Sequence, residues 1–239
     1  MKFTDKARVE VDRGEASALG CRAVADAMRE RTAPLHADAE RSGFVGAMMA
    51  GQVTRAAYAS FLRNLLPAYQ ELESGLHRHR HAGGFAALYR PELFRARALE
   101  RDLAHLVGDD WATRLPLLAQ GRAYADRIAL AASEDRRARL IAHAYTRFMG
   151  DLGGGPLLRR RLAATLGLDA SGLSFYEFPG IASLREFSHE YRTALDRAVS
   201  REEDVRVATE EAVAAFQLNI ALSHAIAALA GARPSPNSP

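Results

Sequence analysis

The most informative stretch of this 239-residue sequence is His143-Ala-Tyr-Thr-Arg-Phe-Met-Gly-Asp-Leu-Gly-Gly-Gly155. Its pattern is typical of a helix, although glycine within a helix costs about 0.5 to 1 kcal/mol relative to alanine. A helix without Cβ atoms can, however, lie directly against a flat, bulky ligand. The alternative is a helix that ends in a glycine-rich loop. Because the pattern contains several glycines, it favours a helix that forms one wall of a cofactor site. These glycines are Gly150, Gly153, Gly154 and Gly155.

A second candidate for cofactor binding lies near the N-terminus, in the segment Leu35-His-Ala-Asp-Ala-Glu40. His36 and Glu40 are four residues apart, which places them on one face of a helix. A carboxylate at this spacing can hold one imidazole nitrogen and leave the other free to bind a metal. The alternative is a solvent-exposed histidine in the first turn after Pro34. The spacing therefore makes His36 a candidate axial ligand.

The segment 144–155 resembles the distal-helix signature of the heme oxygenase family. Further segments of the chain resemble the same family in the same order, over roughly residues 25 to 230. Several collinear motifs are more specific than any one of them alone. The chain is therefore identified as a member of this family by resemblance. The further segments are 51–55, 98–103, 176–183 and 215–220.

The resemblance implies an enzyme that cleaves heme b with O2 and an external electron donor. The expected products are biliverdin, with the IX-alpha isomer as our prediction, carbon monoxide and ferrous iron. Heme would be both substrate and cofactor, and a reductase or a ferredoxin would supply the electrons. In the family pattern, His36 falls on the axial ligand of the heme iron and Glu40 on its usual hydrogen-bonding partner.

The resemblance also assigns roles on the oxygen-binding side of the heme. Asp151, next to Gly150, is expected to hold an ordered water without binding iron itself. Tyr69 and Asn219 could equally be polar groups of the core, and Arg147 could form a surface ion pair. The resulting candidate catalytic residues are Asp151, Gly150, Arg147, Tyr69 and Asn219.

Three residues match family positions that hold the heme propionates, namely Arg29, Tyr145 and Arg192. A guanidinium group suits a carboxylate because it offers paired donors. Ala33 and Ser188 stand where basic residues are common, so the in-plane orientation of the heme stays open. The predicted heme-contacting residues are His36, Glu40, Arg29, Tyr145, Gly150, Gly154, Arg192 and Phe216, the last as part of the wall.

Apolar residues recur at helical spacing through most of the chain, and alternating or β-branched runs typical of strands are nearly absent. We therefore expect an all-α fold, a single-domain irregular helical bundle of heme oxygenase type with heme between the proximal and the glycine-rich distal helix. The predicted organisation is a flexible extension at 1–15, the domain at 16–231 and a disordered tail at 232–239.

The composition of the chain bears on its partners, its disulfides and its location in the cell. The net charge of +3 is small and the arginines are dispersed, so we expect no nucleic-acid partner. Cys21 is the only cysteine, which excludes an intramolecular disulfide and a thiolate-bound cluster and favours a reducing compartment. The apolar stretch 212–232 is interrupted by polar residues such as Gln217 and Asn219. We predict a buried core helix there, no stable membrane insertion, and a soluble, cytoplasmic protein.

The sequence leaves two other functions open. In a non-heme di-iron oxygenase on a related scaffold, the pairs Asp102/His105 and Glu186/His189 would supply ligands at i, i+3 spacing. Such a site needs more carboxylates than the sequence offers convincingly, and it leaves the glycines without a purpose. A non-catalytic heme carrier or sensor would keep the fold, but it would not need Asp151 beside Gly150.

Overall fold

The structure, a computed structural model, describes residues 23–231. The predicted extension 1–15 and tail 232–239 lie outside the described residues, as does the first part of the predicted domain, 16–22. Between residues 23 and 231 the chain forms helices and no strand, which confirms the all-α prediction. The α-helices are α1 (Val24–Arg41), α2 (Gly43–Ala50), α3 (Arg55–His79), α4 (Ala96–Val107), α5 (Trp111–Arg114), α6 (Ala119–Ser133), α7 (Ala138–Ala144), α8 (Gly150–Leu166), α9 (Leu184–Ala198) and α10 (Glu202–Gly231).

Helix α3 lies at the centre of the bundle, where it packs against α4, α6 and α10. Its inward positions, including Leu62, Leu65, Tyr69 and Leu72, recur every three or four residues and are fully buried. Burying a leucine side chain contributes about 1.5 to 3 kcal/mol. The middle of α3 is therefore firmly held, and with it the position of the Tyr69 hydroxyl.

A π-helical turn, Tyr145–Met149, joins α7 directly to α8, so that residues 138–166 form one continuous glycine-rich helix. The glycines lie in its second part with helical backbone, and none of them has a positive φ. The alternative of a glycine-rich loop is therefore excluded. A π-turn changes the direction in which the following side chains point, and such turns are common at functional sites.

Helix α2 is docked on α10 through a close backbone contact at Gly43. This residue has a φ of 58°, and a Cβ atom there would lie 2.6 Å from Ser223 Oγ and 2.9 Å from the Ser223 carbonyl carbon. Ser223 Oγ also accepts a hydrogen bond of 3.0 Å from the Val45 amide. Only glycine fits this junction, which fixes the position of α2 against α10.

Helix α10 differs from the buried core helix expected at 212–232. It is long and apolar enough, by length and composition alone, to cross a membrane. Only 28% of its most apolar segment is buried, so the expectation holds for one face of the helix. That face packs against α1, α2, α3, α6 and α7. Part of the remaining surface, with Phe216 and Asn219, lines a cleft.

A buried carboxylate ties α10 to α6 and α7. The side chain of Glu211 is 2% exposed and accepts hydrogen bonds from Arg127 Nε at 2.7 Å and from His143 Nε2 at 2.9 Å. Arg139 approaches it at 3.6 Å. Burial alone would raise the pKa of Glu211, but the hydrogen bonds from His143 and Arg127 outweigh burial and lower the pKa to about 2. Burial lowers the pKa of His143.

Replacing Glu211 with glutamine is expected to reduce the free energy of unfolding by about 3 kcal/mol at pH 7, because the fold loses the ionised carboxylate that His143 and Arg127 stabilise. Glu211 has a folded pKa of about 2 against an ordinary value of 4.5, so its contribution is complete above pH 4.5 and declines as pH falls towards 2. Urea unfolding of both proteins should therefore show a smaller difference at pH 4 than at pH 7.

The matched control is Glu210→Gln. Glu210 pairs with Arg206 on the exposed surface at 3.0 Å, and we expect its substitution to change the free energy of unfolding by less than about 1 kcal/mol. A change in the free energy of unfolding that is as small for Glu211→Gln as for Glu210→Gln would show that the buried cluster of Glu211 does not stabilise the bundle.

Candidate active site

A cleft with about 860 Å³ of space, its open mouth included, lies between α1, α2, the glycine-rich helix and α10. Most of its lining is apolar, with a few polar groups, as is usual for a ligand site. The lining residues are His36, Ala39, Glu40, Val45, Met48, Met49, Phe61, Leu65, Thr146, Arg147, Gly150, Asp151, Gly154, Leu157, Leu158, Phe175, Tyr176, Phe216 and Asn219.

Helix α1 contributes His36 to the cleft. Its Nδ1 lies 3.6 Å from Glu40 Oε1, at the i, i+4 spacing, and the imidazole is about half exposed. The ring centroid of His36 lies 5.9 Å from that of Phe216 on α10. This arrangement turns Nδ1 towards a carboxylate and leaves Nε2 available for a metal ion.

The glycine-rich helix presents bare backbone to the same cleft. Gly150 and Gly154, one turn apart, both line it, and a Cβ atom added at either position would meet no atom within 4 Å. Gly155 instead packs against Tyr176, and Gly153 is exposed without lining the cleft. Two of the four glycines therefore face the cleft, which gives a flat ligand close access to the main chain.

Four of the predicted catalytic side chains form one hydrogen-bonded network. Tyr69 Oη donates to Asp151 Oδ2 at 2.5 Å, and Arg147 Nε donates to Tyr69 Oη at 3.0 Å. Arg147 Nη1 donates to Asn219 Oδ1 at 2.9 Å, and its Nη2 lies 3.4 Å from Asp151 Oδ1. The network thus joins α3, the glycine-rich helix and α10 at the cleft.

Burial governs the protonation of this network. Asp151 is 7% exposed, and burial raises the pKa of its carboxyl above the ordinary value, although Arg147 and Tyr69 favour the ionised form. Burial also raises the pKa of Tyr69 well above its usual value. Tyr69 therefore keeps its proton and donates it in a hydrogen bond, while Asp151 is a carboxylate that takes up a proton more readily than an exposed one.

Arg147 is buried, 8% exposed, rather than part of a surface ion pair. Its guanidinium also lies over the ring of Tyr69, with Cζ 5.1 Å from the ring centroid. Tyr69 itself does not line the cleft but is hydrogen-bonded to two residues that do, Asp151 and Arg147. Among the described residues that line the cleft, the only carboxylates are Asp151 and Glu40, and Glu40 faces His36.

The three residues predicted to hold propionates lie together, but outside the lining of the cleft. Arg192 on α9 donates to Asp26 Oδ1, and Arg29 Nη2 lies 3.5 Å from the same oxygen. Arg29 and His36 are seven residues apart, about two turns of α1. Tyr145 is half-buried near these charges; burial raises its pKa, whereas Arg192 and Arg29 lower it.

Sequence reasoning missed several residues of the site. Met48 and Met49 line the cleft from α2, a helix too short to show a clear periodic pattern. Thr146 lines it within the π-helical turn, and its hydroxyl donates a hydrogen bond of 2.9 Å to the Ala142 carbonyl oxygen. Asp26 was indistinguishable from other acidic residues in a first helical turn. Only the contact with Arg192, distant in sequence, singles it out.

The geometry offers no support for a di-iron centre. Asp102 Oδ1 accepts hydrogen bonds from Ser174, and Asp102 Oδ2 accepts one from the Phe175 amide. Glu186 and His189 are exposed on α9. Within residues 23–231, no three His, Cys, Asp or Glu side chains come together in a way that could hold a metal ion.

The sequence profile of the family described as Heme oxygenase matches residues 22–225. The chain belongs to the heme oxygenase family. This heme oxygenase is 35% identical over 202 residues to Heme oxygenase 1 of Pongo abelii, covering 83% of the chain and 70% of the relative. It is 32% identical over 197 residues to Heme oxygenase 1 of the cyanobacterium Synechocystis, covering 82% of each.

Solved structures agree with the fold of this heme oxygenase. Heme oxygenase-1 of Synechocystis, a crystal structure in complex with heme, superposes with a TM-score of 0.82 at 30% identity, covering 87% of this chain and 93% of that one. Heme oxygenase of Leptospira interrogans gives a TM-score of 0.80 at 31% identity, covering 85% and 99%.

Proposed function

We propose that this heme oxygenase holds heme in the cleft between α1 and the glycine-rich helix, with His36 on the iron. It cleaves heme to biliverdin, carbon monoxide and ferrous iron. Neither a di-iron oxygenase nor a non-catalytic heme carrier is favoured, because the relatives are named as heme oxygenases and the network around Asp151 is complete.

One observation carries this proposal: an imidazole and bare helix backbone line the same largely apolar cleft. His36 keeps Nε2 free because Glu40 faces Nδ1. Gly150 and Gly154 leave open space where other residues would place a Cβ atom. When bound, heme supplies the iron at which O2 is reduced and the macrocycle that is oxidised. The donor set and the shape of the cleft fit such a ligand.

The chain itself supplies positioning and proton transfer. Asp151 holds a water molecule in the cleft and can accept a proton at Oδ1 or Oδ2 and return it, because burial raises its pKa. Tyr69 and Arg147 fix the carboxylate through their hydrogen bonds. Asn219 orients Arg147 from α10. Phe216 forms part of the apolar wall of the cleft beside His36.

The substrate carboxylates are assigned to the group formed by Arg29, Tyr145 and Arg192. The side chains of Arg29 and Arg192 are 62% and 33% exposed, so both guanidinium groups can be reached from solution. We propose the IX-alpha isomer of biliverdin as the product. O2 and an external donor, a reductase or a ferredoxin, complete the reaction, and we propose a soluble protein in the cytoplasm.

The direct test is to add hemin to the purified protein and to record the absorption spectrum before and after a reductant is supplied under air. We expect a histidine-ligated Soret band that decays as the absorption of biliverdin appears. The carbon monoxide that is released should be detected as its complex with the remaining ferrous heme. Chromatography of the extracted pigment identifies the isomer. A Soret band that stays unchanged after reduction under air would refute turnover, and no Soret band at all would refute heme binding.

A further inference from the structure

Asp26 occupies a specific position among the cations assigned to the substrate carboxylates. A single oxygen of its carboxylate, Oδ1, accepts a hydrogen bond from Arg192 Nη2 and lies 3.5 Å from Arg29 Nη2. The two guanidinium groups come from different helices, α9 and α1. The hydroxyl of Tyr145, close to all three charges, has no protein hydrogen-bond partner within residues 23–231. The chain thus brings two cations and a free phenol together around one of its own carboxylates.

We infer that Asp26 is a built-in competitor for the carboxylates of the substrate, and that it lowers the affinity of this heme oxygenase for heme and for biliverdin. This inference rests on the proposed function of Arg29 and Arg192. A propionate and the Asp26 side chain have the same chemistry and need the same guanidinium N–H groups. A substrate carboxylate therefore has to displace Asp26 or share the cations with it.

The exposure of the group makes such an exchange feasible. The side chains of Asp26 and Arg192 are 45% and 33% exposed, so water solvates either one as soon as the pair opens. An ion pair with this exposure is weak, in contrast to the 2% exposed Glu211, whose partners could not separate without leaving a buried charge. Asp26 therefore holds the two arginines in place, but its ion pair is weak enough for a substrate carboxylate to replace it.

The competition acts on product as well as on substrate, since heme and biliverdin carry the same two propionate side chains. By offering the arginines an alternative carboxylate, Asp26 shortens the time that either molecule stays bound. Asp26 therefore also reduces the difference in affinity between ligands that bear free carboxylates and ligands that lack them. The predicted consequence is that removal of the Asp26 charge strengthens binding only of ligands that bear free carboxylates.

The test compares the full-length protein with the variant Asp26→Asn in titrations with hemin and with hemin dimethyl ester, followed at the Soret band. The variant should bind hemin about two- to fivefold more tightly, the range that a half-exposed ion pair supports. It should bind the dimethyl ester with the affinity of the unaltered protein. The conservative variant Asp26→Glu, which keeps the charge, should bind hemin as the unaltered protein does.

Asp38→Asn is the matched control, because it removes the same charge from α1 at an exposed residue that contacts neither arginine. Equal tightening by Asp38→Asn, or equal tightening towards the dimethyl ester, would overturn the inference in favour of a general charge or packing effect. Unchanged hemin affinity of Asp26→Asn would overturn it as well. Failure of the unaltered protein to form a histidine-ligated Soret band would instead refute the proposed function on which it rests.

Discussion

Replacing His36 with alanine is expected to abolish the imidazole-ligated heme spectrum and to stop biliverdin formation. The reason is that His36 is the only imidazole lining the cleft among residues 23–231, so that no other described side chain can take over the position beside Gly150 and Gly154. Absorption and resonance Raman spectra of the hemin complex measure the loss of the iron–histidine bond. Hemin itself should still enter the cleft, because most of its contacts are apolar.

Added imidazole provides the decisive control for this variant. The truncated side chain leaves room for a free imidazole molecule, which should restore the ligated spectrum and part of the activity. His105→Ala serves as the matched variant, because His105 is an exposed histidine on α4 away from the cleft. An unaltered spectrum of His36→Ala would move the axial ligand to another residue.

Replacing Asp151 with alanine is expected to leave hemin binding largely intact and to lower the rate of biliverdin formation about 10²-fold or more, the usual range for loss of a positioned acid–base group. Asp151 accepts a hydrogen bond of 2.5 Å from Tyr69 and also faces Arg147, so its loss removes the proton acceptor and leaves Arg147 without its carboxylate. Single-turnover spectra with a reductant under air measure the rate, and hemin titration measures binding.

Two further variants separate the roles within the network. Tyr69→Phe keeps the carboxylate but removes its hydrogen-bond donor, so its rate should lie between those of Asp151→Ala and the unaltered protein. Asp126→Ala removes a charge from the exposed surface of α6 and should not change the rate. An unchanged product yield in Asp151→Ala would remove this residue from the mechanism.

The sequence predicted those features of the site that depend on local spacing. His36 and Glu40 share a helix face because they are four residues apart, and the structure places them 3.6 Å from each other. The helical character of the glycine-rich stretch also followed from its own pattern, together with the resemblance to a known family. Such features are predictable because a helix fixes the relation of nearby residues without help from the rest of the fold.

Other features depend on contacts between residues far apart in sequence. Burial of Arg147 follows from its approach to Tyr69 and Asn219, which are 78 and 72 positions away. The pairing of Asp26 with Arg192 bridges 166 positions. The π-helical turn before Gly150 likewise has no simple sequence signature. These contacts arise only when α3, α9 and α10 are packed, so a periodic pattern could not reveal them.

At Gly150 and Gly154 the wall of the cleft consists of main chain, and this limits how the protein can adapt to a new substrate. A wall of side chains widens or narrows when rotamers change, but a helical backbone without Cβ atoms has no such freedom. Acceptance of a larger or differently substituted macrocycle would therefore have to evolve on the flexible side chains of Met48 and Met49, across α2. The glycines set a fixed template, and the methionines provide the adjustable part.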